Sequence, residues 1–328
     1  LWISENSGYK HIWIAKHSGS NFWPITKGEW EVSAINYIDE DAQKIYFTAN
    51  KESVFENRFY SIRVDGTELN LLTPEEGSHY ISISGSKKYF TDTFSSLTVP
   101  RKILYRDLES GKIIKVLGET DLEQYEEYEW STPKIVHFPT KDNTENLDGI
   151  ITLPPNYSKT KKYPVIMYGY GMPGTQIVWN RWGRTWNQYL AQLGYIVFSM
   201  DSRGMSGRGE EFKNLSYGDM AHYLAKDHLA GLNYLVDEGY ADPERIGAWG
   251  WSGGGYFTCL MLTKNGKYFK AGVSVAPVTD FRLYDTAYTE RSMGFPQENK
   301  AGYDSTNVIT WMNRMQGSIM LMHGTGDD

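Results

Sequence analysis

Residues 245–263 read RIGAWGWSGGGYFTCLMLT. The first five (RIGAW) form an apolar run of strand length. The last nine, 255–263 (GYFTCLMLT), are long enough and apolar enough to continue as a buried helix. Between them stands Gly250-Trp251-Ser252-Gly253-Gly254, which fits G-x-S-x-G. That motif carries chemistry only when it follows a strand and opens a helix, because the sharp turn then holds the serine on an exposed tip. Glycines are needed where strand and helix approach too closely for a side chain. Gly253, next after the serine, can aim its N–H at a developing oxyanion, and the helix N-terminus adds a favourable dipole.

Ser252 is therefore the expected nucleophile of a serine hydrolase on an α/β-hydrolase fold. Strands and helices alternate on both sides of it, as a doubly wound, mostly parallel sheet requires. Strands are expected at 163–168 (YPVIMY), 195–200 (YIVFSM), 270–275 and 318–322, and helices at 186–193 and 221–238. The helix at 221–238 carries Leu224, Leu229, Leu232, Leu235 and Val236 on one stripe. Residues 1–128 have a different texture. Short strands at 11–15, 44–48, 58–64, 80–84 and 102–107 are separated by polar turns such as Asp65-Gly66 and Ser110-Gly111. This spacing fits a sandwich, a barrel or propeller blades. At about 40–50 residues per blade, two to three blades fit.

On this fold the triad follows the chain order Ser, Asp, His. The final strand runs into His323-Gly-Thr-Gly-Asp327-Asp328, which sets Asp327 or Asp328 at the C-terminal edge of the sheet, where such sheets bind ligands. All seven histidines precede Asp327, and His323 reads as a structural partner of its own loop. The base is thus expected beyond residue 328. With it absent, the 328-residue chain is expected to be C-terminally truncated and inactive or nearly so.

These residues resemble the prolyl oligopeptidase family of serine peptidases, in particular its dipeptidyl peptidase IV branch. The likeness rests on GWSGGGY at the elbow, APVTDFRLYDTAYTERSMGFP at 276–296, HGTGDD at the end, YPVIMYGYGMPG at 163–174, and SENSGYKHIW and TKGEWEV upstream. It implies part of an all-β propeller at 1–128 followed by an α/β-hydrolase domain at 129–328. It implies Asp327 as the triad carboxylate and Tyr170 as a second oxyanion donor beside Gly253. It also implies a pocket for a penultimate proline or alanine at Val278, Phe281, Tyr284 and Tyr288. The i,i+4 spacing of Tyr284 and Tyr288 equally fits two core aromatics on one helix. Two departures stand out. Gly253 replaces the bulky aromatic usual in the branch, so either the pocket is wider or a neighbour fills it. The paired glutamates that grip a substrate's amino terminus would precede Leu1. The implied partner is a peptide, the implied location extracytoplasmic or periplasmic, and a homodimer is compatible with it.

Other classes fit less well. The net charge of −7, with no long basic run, argues against nucleic acid. No apolar stretch is long enough to span a membrane. Gly169-Tyr-Gly-Met-Pro-Gly174 mimics a dinucleotide fingerprint and the next strand ends at Asp201, but Pro173 and a Trp-rich stretch occupy the place where the helix should start. The loop at 201–209 lacks a Walker pattern. No metal spacing appears and no cofactor is implied. The one cysteine, Cys259, reads as a buried helix residue. Asn156-Tyr-Ser and Asn214-Leu-Ser are sequons of the kind that arise by chance. An esterase, an acylaminoacyl- or oligopeptidase, and a non-catalytic binding module share the expected fold.

Overall fold

The computed structural model describes residues 1–16, 18, 19 and 21–327. The chain divides into two compact units. The first comprises Leu1–Glu127 with Trp179–Gly183 and Gly207–Glu211; the second comprises the remaining residues from Tyr128 onward.

The first unit is built from propeller-type antiparallel meanders. One has three strands, Trp2–Ser4, His11–Ala15 and Phe22–Pro24; the next has four, Val32–Asp39, Lys44–Ala49, Arg58–Arg63 and Asn70–Leu71. The third runs through Ser78–Ile83, Tyr89–Ser95, Lys102–Asp107 and Ile113–Glu119. Phe47, Tyr60 and Ile62 lie in one core, and Tyr46, Phe59 and Phe90 in a neighbouring one. Strand alternation explains the split, since consecutive side chains of one strand face opposite sides. Beneath the third meander, His79 bonds the Asp92 carboxylate at 2.9 Å, and Arg106 pairs with both Asp92 and Glu75. His79, Asp92 and Arg106 are buried with their polar groups paired, as burial demands, and Glu75 is partly exposed.

The second unit is organised by one seven-stranded sheet. We number its strands β1 (Lys134–Pro139), β2 (Asn146–Thr152), β3 (Tyr163–Tyr168), β4 (Ile196–Asp201), β5 (Ala241–Trp251), β6 (Ala271–Val275) and β7 (Ser318–Met322). Their spatial order is β1-β2-β4-β3-β5-β6-β7. The β1–β2 hairpin is antiparallel, and β2 is also antiparallel to β4; every pairing from β4 to β7 is parallel. Strand β4, third in this order, is buried at all six positions, which is why its sequence is mostly apolar up to Asp201, Ser199 excepted.

The main helices are α1 (Thr185–Gln192), α2 (His222–Asp237), α3 (Gly253–Lys264), α4 (Thr286–Met293) and α5 (Lys300–Thr306). In α3 every residue from Gly253 to Thr263 is buried, so it is a core helix and not an amphipathic surface one. Cys259 lies on it, buried, 3.3 Å from the Ser274 hydroxyl. No described helix is long and apolar enough to cross a membrane.

Helix α2 packs against α3 and carries a fully buried histidine between them. His228 donates from Nδ1 to the Leu224 carbonyl at 2.8 Å and packs against Phe257, the rings tilted by 51° with centroids 4.6 Å apart. Burial lowers its pKa from 6.5 to about 4, because the apolar surroundings disfavour the imidazolium. The unfolded chain therefore binds a proton between pH 6.5 and 4 that the folded one does not. The contribution is present in full above pH 6.5 and is lost as pH falls toward 4. Its full size is on the order of 3 kcal/mol. A His228→Leu variant, measured by denaturant unfolding across this range, is expected to show a visibly flatter loss of stability on acidification. An unchanged slope would contradict a neutral native His228.

Candidate active site

Strand β5 ends at Trp251 and α3 begins at Gly253, with Ser252 alone on the tip. Ser252 has φ 58° and ψ −117°, a conformation that costs a non-glycine residue about 1–3 kcal/mol. Surrounding bonds hold it there. Its N–H donates to the Val275 carbonyl at 2.9 Å, and its own carbonyl accepts from Tyr256 N–H at 3.0 Å. A second strained residue lies beside it: Ala276, with φ 44°, follows β6 directly.

The glycines around Ser252 are required by contact with other backbone. A Cβ on Gly250 would stand 2.6 Å from the backbone of Gly254, and one on Gly254 would stand 2.5 Å from the Gly169 carbonyl oxygen. A Cβ on Gly255 would stand 2.5 Å from the Val275 carbonyl oxygen. The start of α3 is thus pressed between the loop after β3 and the loop after β6. The helix begins at Gly253 itself, two residues before the apolar run suggested.

The loop after β3 carries Tyr170. Its ring lies against the elbow: its Cε1 and Cζ are 3.1 and 3.2 Å from the position a Cβ on Gly253 would take. Gly171, at φ 71°, is fixed by Leu224, whose Cδ1 stands 2.0 Å from where a Cβ would be. The loop is braced by Asp201, a buried carboxylate that accepts the N–H groups of Ile177 at 2.8 Å and Val178 at 3.3 Å. Next to it, Arg203 is held by Asp227 and Asp142. Sequence reasoning noted Asp201 and Arg203 only as parts of unrelated loop patterns. No helix follows the 169–174 glycines; the next helix, α1, begins at Thr185. The dinucleotide fingerprint is therefore absent from the fold.

The residues expected to line a pocket, Val278, Phe281, Tyr284 and Tyr288, lie in the segment after β6. Phe281 is buried in a single 3-10 turn, edge-on to Tyr256 at 4.9 Å. Val278, Tyr284, Tyr288 and Tyr170 are partly buried against the core cluster that includes Phe281 and Tyr256. The alternative reading of their spacing, with Tyr284 and Tyr288 on one helix, does not hold. Tyr284 is extended, and Asp285 caps α4 by accepting Tyr288 N–H at 2.8 Å. With Asp285 as the cap, the helix starts at Thr286, two residues past Tyr284, which closes the preceding 3-10 turn. The two rings nonetheless meet edge to face, 6.1 Å apart at 80°. The Tyr288 hydroxyl is buried and, among the described residues, has no hydrogen-bond partner. Burial first, and the neighbouring Tyr170 second, push its pKa well above the usual tyrosine value.

Asp327 lies beyond β7. Trp251 pairs with Val275 and Val275 with Met322, so the three strands end level. Strand β7 is two strands, roughly 10 Å, from β5. The half-exposed Asp327 carboxylate is 3.8 Å from His323 Nδ1, and Asp327 N–H donates to the Gly324 carbonyl at 3.3 Å. Asp328 lies outside the described residues. Among the described residues, no group of three or more His, Cys, Asp and Glu is placed to hold a metal ion.

A mixed sheet with a serine on a glycine-locked strand-to-helix tip defines an α/β-hydrolase. Residues 182–328 match the prolyl oligopeptidase family, and residues 1–101 match the dipeptidyl peptidase IV N-terminal region. The dipeptidyl peptidase 4 of Trichophyton equinum is 35% identical over 337 residues, spanning 99% of this chain and 43% of the relative. The crystal structure of Porphyromonas gingivalis dipeptidyl peptidase 4 matches with a TM-score of 0.92 at 30% identity, over 98% of this chain and 46% of that one. A putative dipeptidyl aminopeptidase IV from Bacteroides ovatus matches with a TM-score of 0.90 at 29% identity, over 98% of this chain and 48% of that one. The chain belongs to the prolyl oligopeptidase family, and it spans less than half the length of these relatives.

The packing makes a direct prediction. Gly254→Ala gains about 1 kcal/mol of intrinsic helix preference, but its methyl would meet the Gly169 carbonyl oxygen at 2.5 Å. Backbone cannot yield there, so overpacking of about 1–3 kcal/mol or more outweighs the gain. Denaturant unfolding is expected to show a net loss for Gly254→Ala. Gly85→Ala, which meets nothing within 4 Å, should change stability by less than about 0.5 kcal/mol.

Proposed function

We propose that this chain carries the nucleophile, oxyanion site and acyl pocket of a serine peptidase that releases N-terminal dipeptides with a penultimate proline or alanine. The observation that carries the reading is Ser252, held at φ 58° on the elbow with Tyr170 packed against Gly253. The dipeptide specificity is supported by the relatives, which bear the name dipeptidyl peptidase 4.

In this reading the Ser252 Oγ attacks the carbonyl carbon after the proline, and its proton passes to a histidine base. The carbonyl electrons move onto oxygen, and the Gly253 N–H and the Tyr170 hydroxyl donate hydrogen bonds to that oxyanion. When the carbonyl reforms, the C–N bond breaks and the histidine returns the proton to the leaving amine. Water then repeats the sequence on the acyl-enzyme. Asp327 fixes the tautomer of the histidine and stabilises its charge. We assign the histidine to the part of the relatives' length that residues 1–328 do not span, in keeping with the chain order Ser, Asp, His. A small proline ring suits the flat and branched walls of Tyr284, Tyr288, Phe281 and Val278.

Two substitutions in the full-length protein test this. Ser252→Ala is expected to abolish cleavage of an Ala-Pro amide substrate, and full activity would refute the reading. Tyr170→Phe is expected to lower kcat by roughly 100–1000-fold with little change in KM, because the donor it removes matters only once charge develops. A KM effect alone would assign Tyr170 to ground-state binding.

A further inference from the structure

The elbow residue that follows Ser252, Gly253, has a counterpart in the Tyr170 loop. At Gly253 a Cβ would come 2.4 Å from the Cγ of Met172. No side chain can occupy residue 253 while Met172 keeps its place. Met172 is 3% exposed and belongs to the same core cluster as Phe281 and Tyr256. Its backbone is fixed as well: its carbonyl accepts from the Thr175 hydroxyl at 2.6 Å, and Thr175 in turn receives Ser206 N–H at 2.9 Å. Preceding it, Gly171 is pinned by Leu224. The thioether therefore enters from the Tyr170 loop the space that a side chain on the elbow would otherwise fill.

We propose that Met172 and Gly253 form a reciprocal pair, and that Met172 is a specificity-determining residue walling the acyl pocket beside the nucleophile. Met172 occupies the space that a side chain on residue 253 would enter. Its flexible, polarizable side chain fills irregular space, and it touches the elbow at the residue whose N–H we assign to the oxyanion. The pocket is thus not widened by the glycine; it is walled by a more adaptable group from another loop. The proposal rests on the assignment of Ser252 as nucleophile for its effect on selectivity, and on packing alone for the pairing.

The test uses four forms of the full-length protein: wild type, Gly253→Ala, Met172→Ala and the double variant. Gly253→Ala is expected to lower the unfolding midpoint and to cut kcat/KM roughly 10-fold or more, since its methyl displaces Met172 and, with it, Tyr170. The double variant is expected to recover most of both losses. Additive effects in the unfolding midpoint would overturn the pairing whether or not Ser252 is the nucleophile. Met172→Ala alone, which opens space, is expected to shift the ratio of kcat/KM for an N-terminal dipeptide amide with a bulkier second residue, norleucine, over one with proline by at least about tenfold. An unchanged ratio would overturn the role in specificity. Should Gly253→Ala fail to fold, its recovery in the double variant supports the pairing and continued failure refutes it.

Discussion

Backbone touching backbone at the tip of β5 is the constraint on which the rest of the second unit depends. Gly250 abuts Gly254, Gly254 abuts Gly169, and Gly255 abuts Val275. These contacts leave no freedom in where α3 begins, and so fix the conformation of Ser252 without help from a side-chain cap. A helix buried on every side supplies the packing energy that offsets the strain of the serine. The same contacts bind the loop of Tyr170 to the start of the helix. The acid-sensitive His228 sits beneath this assembly against Phe257, and the Phe257 ring in turn stands against Gly169.

The elbow was legible in the sequence because its demands are local. Five residues and their flanking runs suffice to require a tight strand-to-helix turn. The strands from 163 onward were legible as short apolar runs; in β4 the cause is burial on both faces, whereas β7 is largely exposed. The hairpin β1–β2 gave no such signal: β1 is an edge strand with only Phe138 fully buried. Tyr284 misled because helical spacing to Tyr288 is real in sequence, whereas the Asp285 cap sets the helix start after it. The contact between Met172 and Gly253 was not readable at all. It joins distant positions through a loop whose course is set by Gly171 and Asp201, and nothing in the local sequence reports it.

Family membership and physical reading support each other at different levels. The likeness to dipeptidyl peptidase 4 proteins extends over nearly the whole chain but over less than half of each relative. Common ancestry explains the sheet order and the meanders of the first unit. It does not by itself explain why residue 253 is a glycine. That glycine makes sense once the space beside the elbow is seen to be filled by Met172 from the Tyr170 loop. Substrate preference in such a site then depends on two loops held together by the same backbone contact that fixes the nucleophile.

The central claim is that the strained serine on this tip is the activated nucleophile. Covalent labelling of the full-length protein with a fluorophosphonate, followed by peptide mapping by mass spectrometry, tests it most directly. A single adduct on Ser252, formed far faster than on any other hydroxyl, is the predicted result. An adduct on another residue, or none at Ser252 in an enzyme that turns over peptide, would contradict the account.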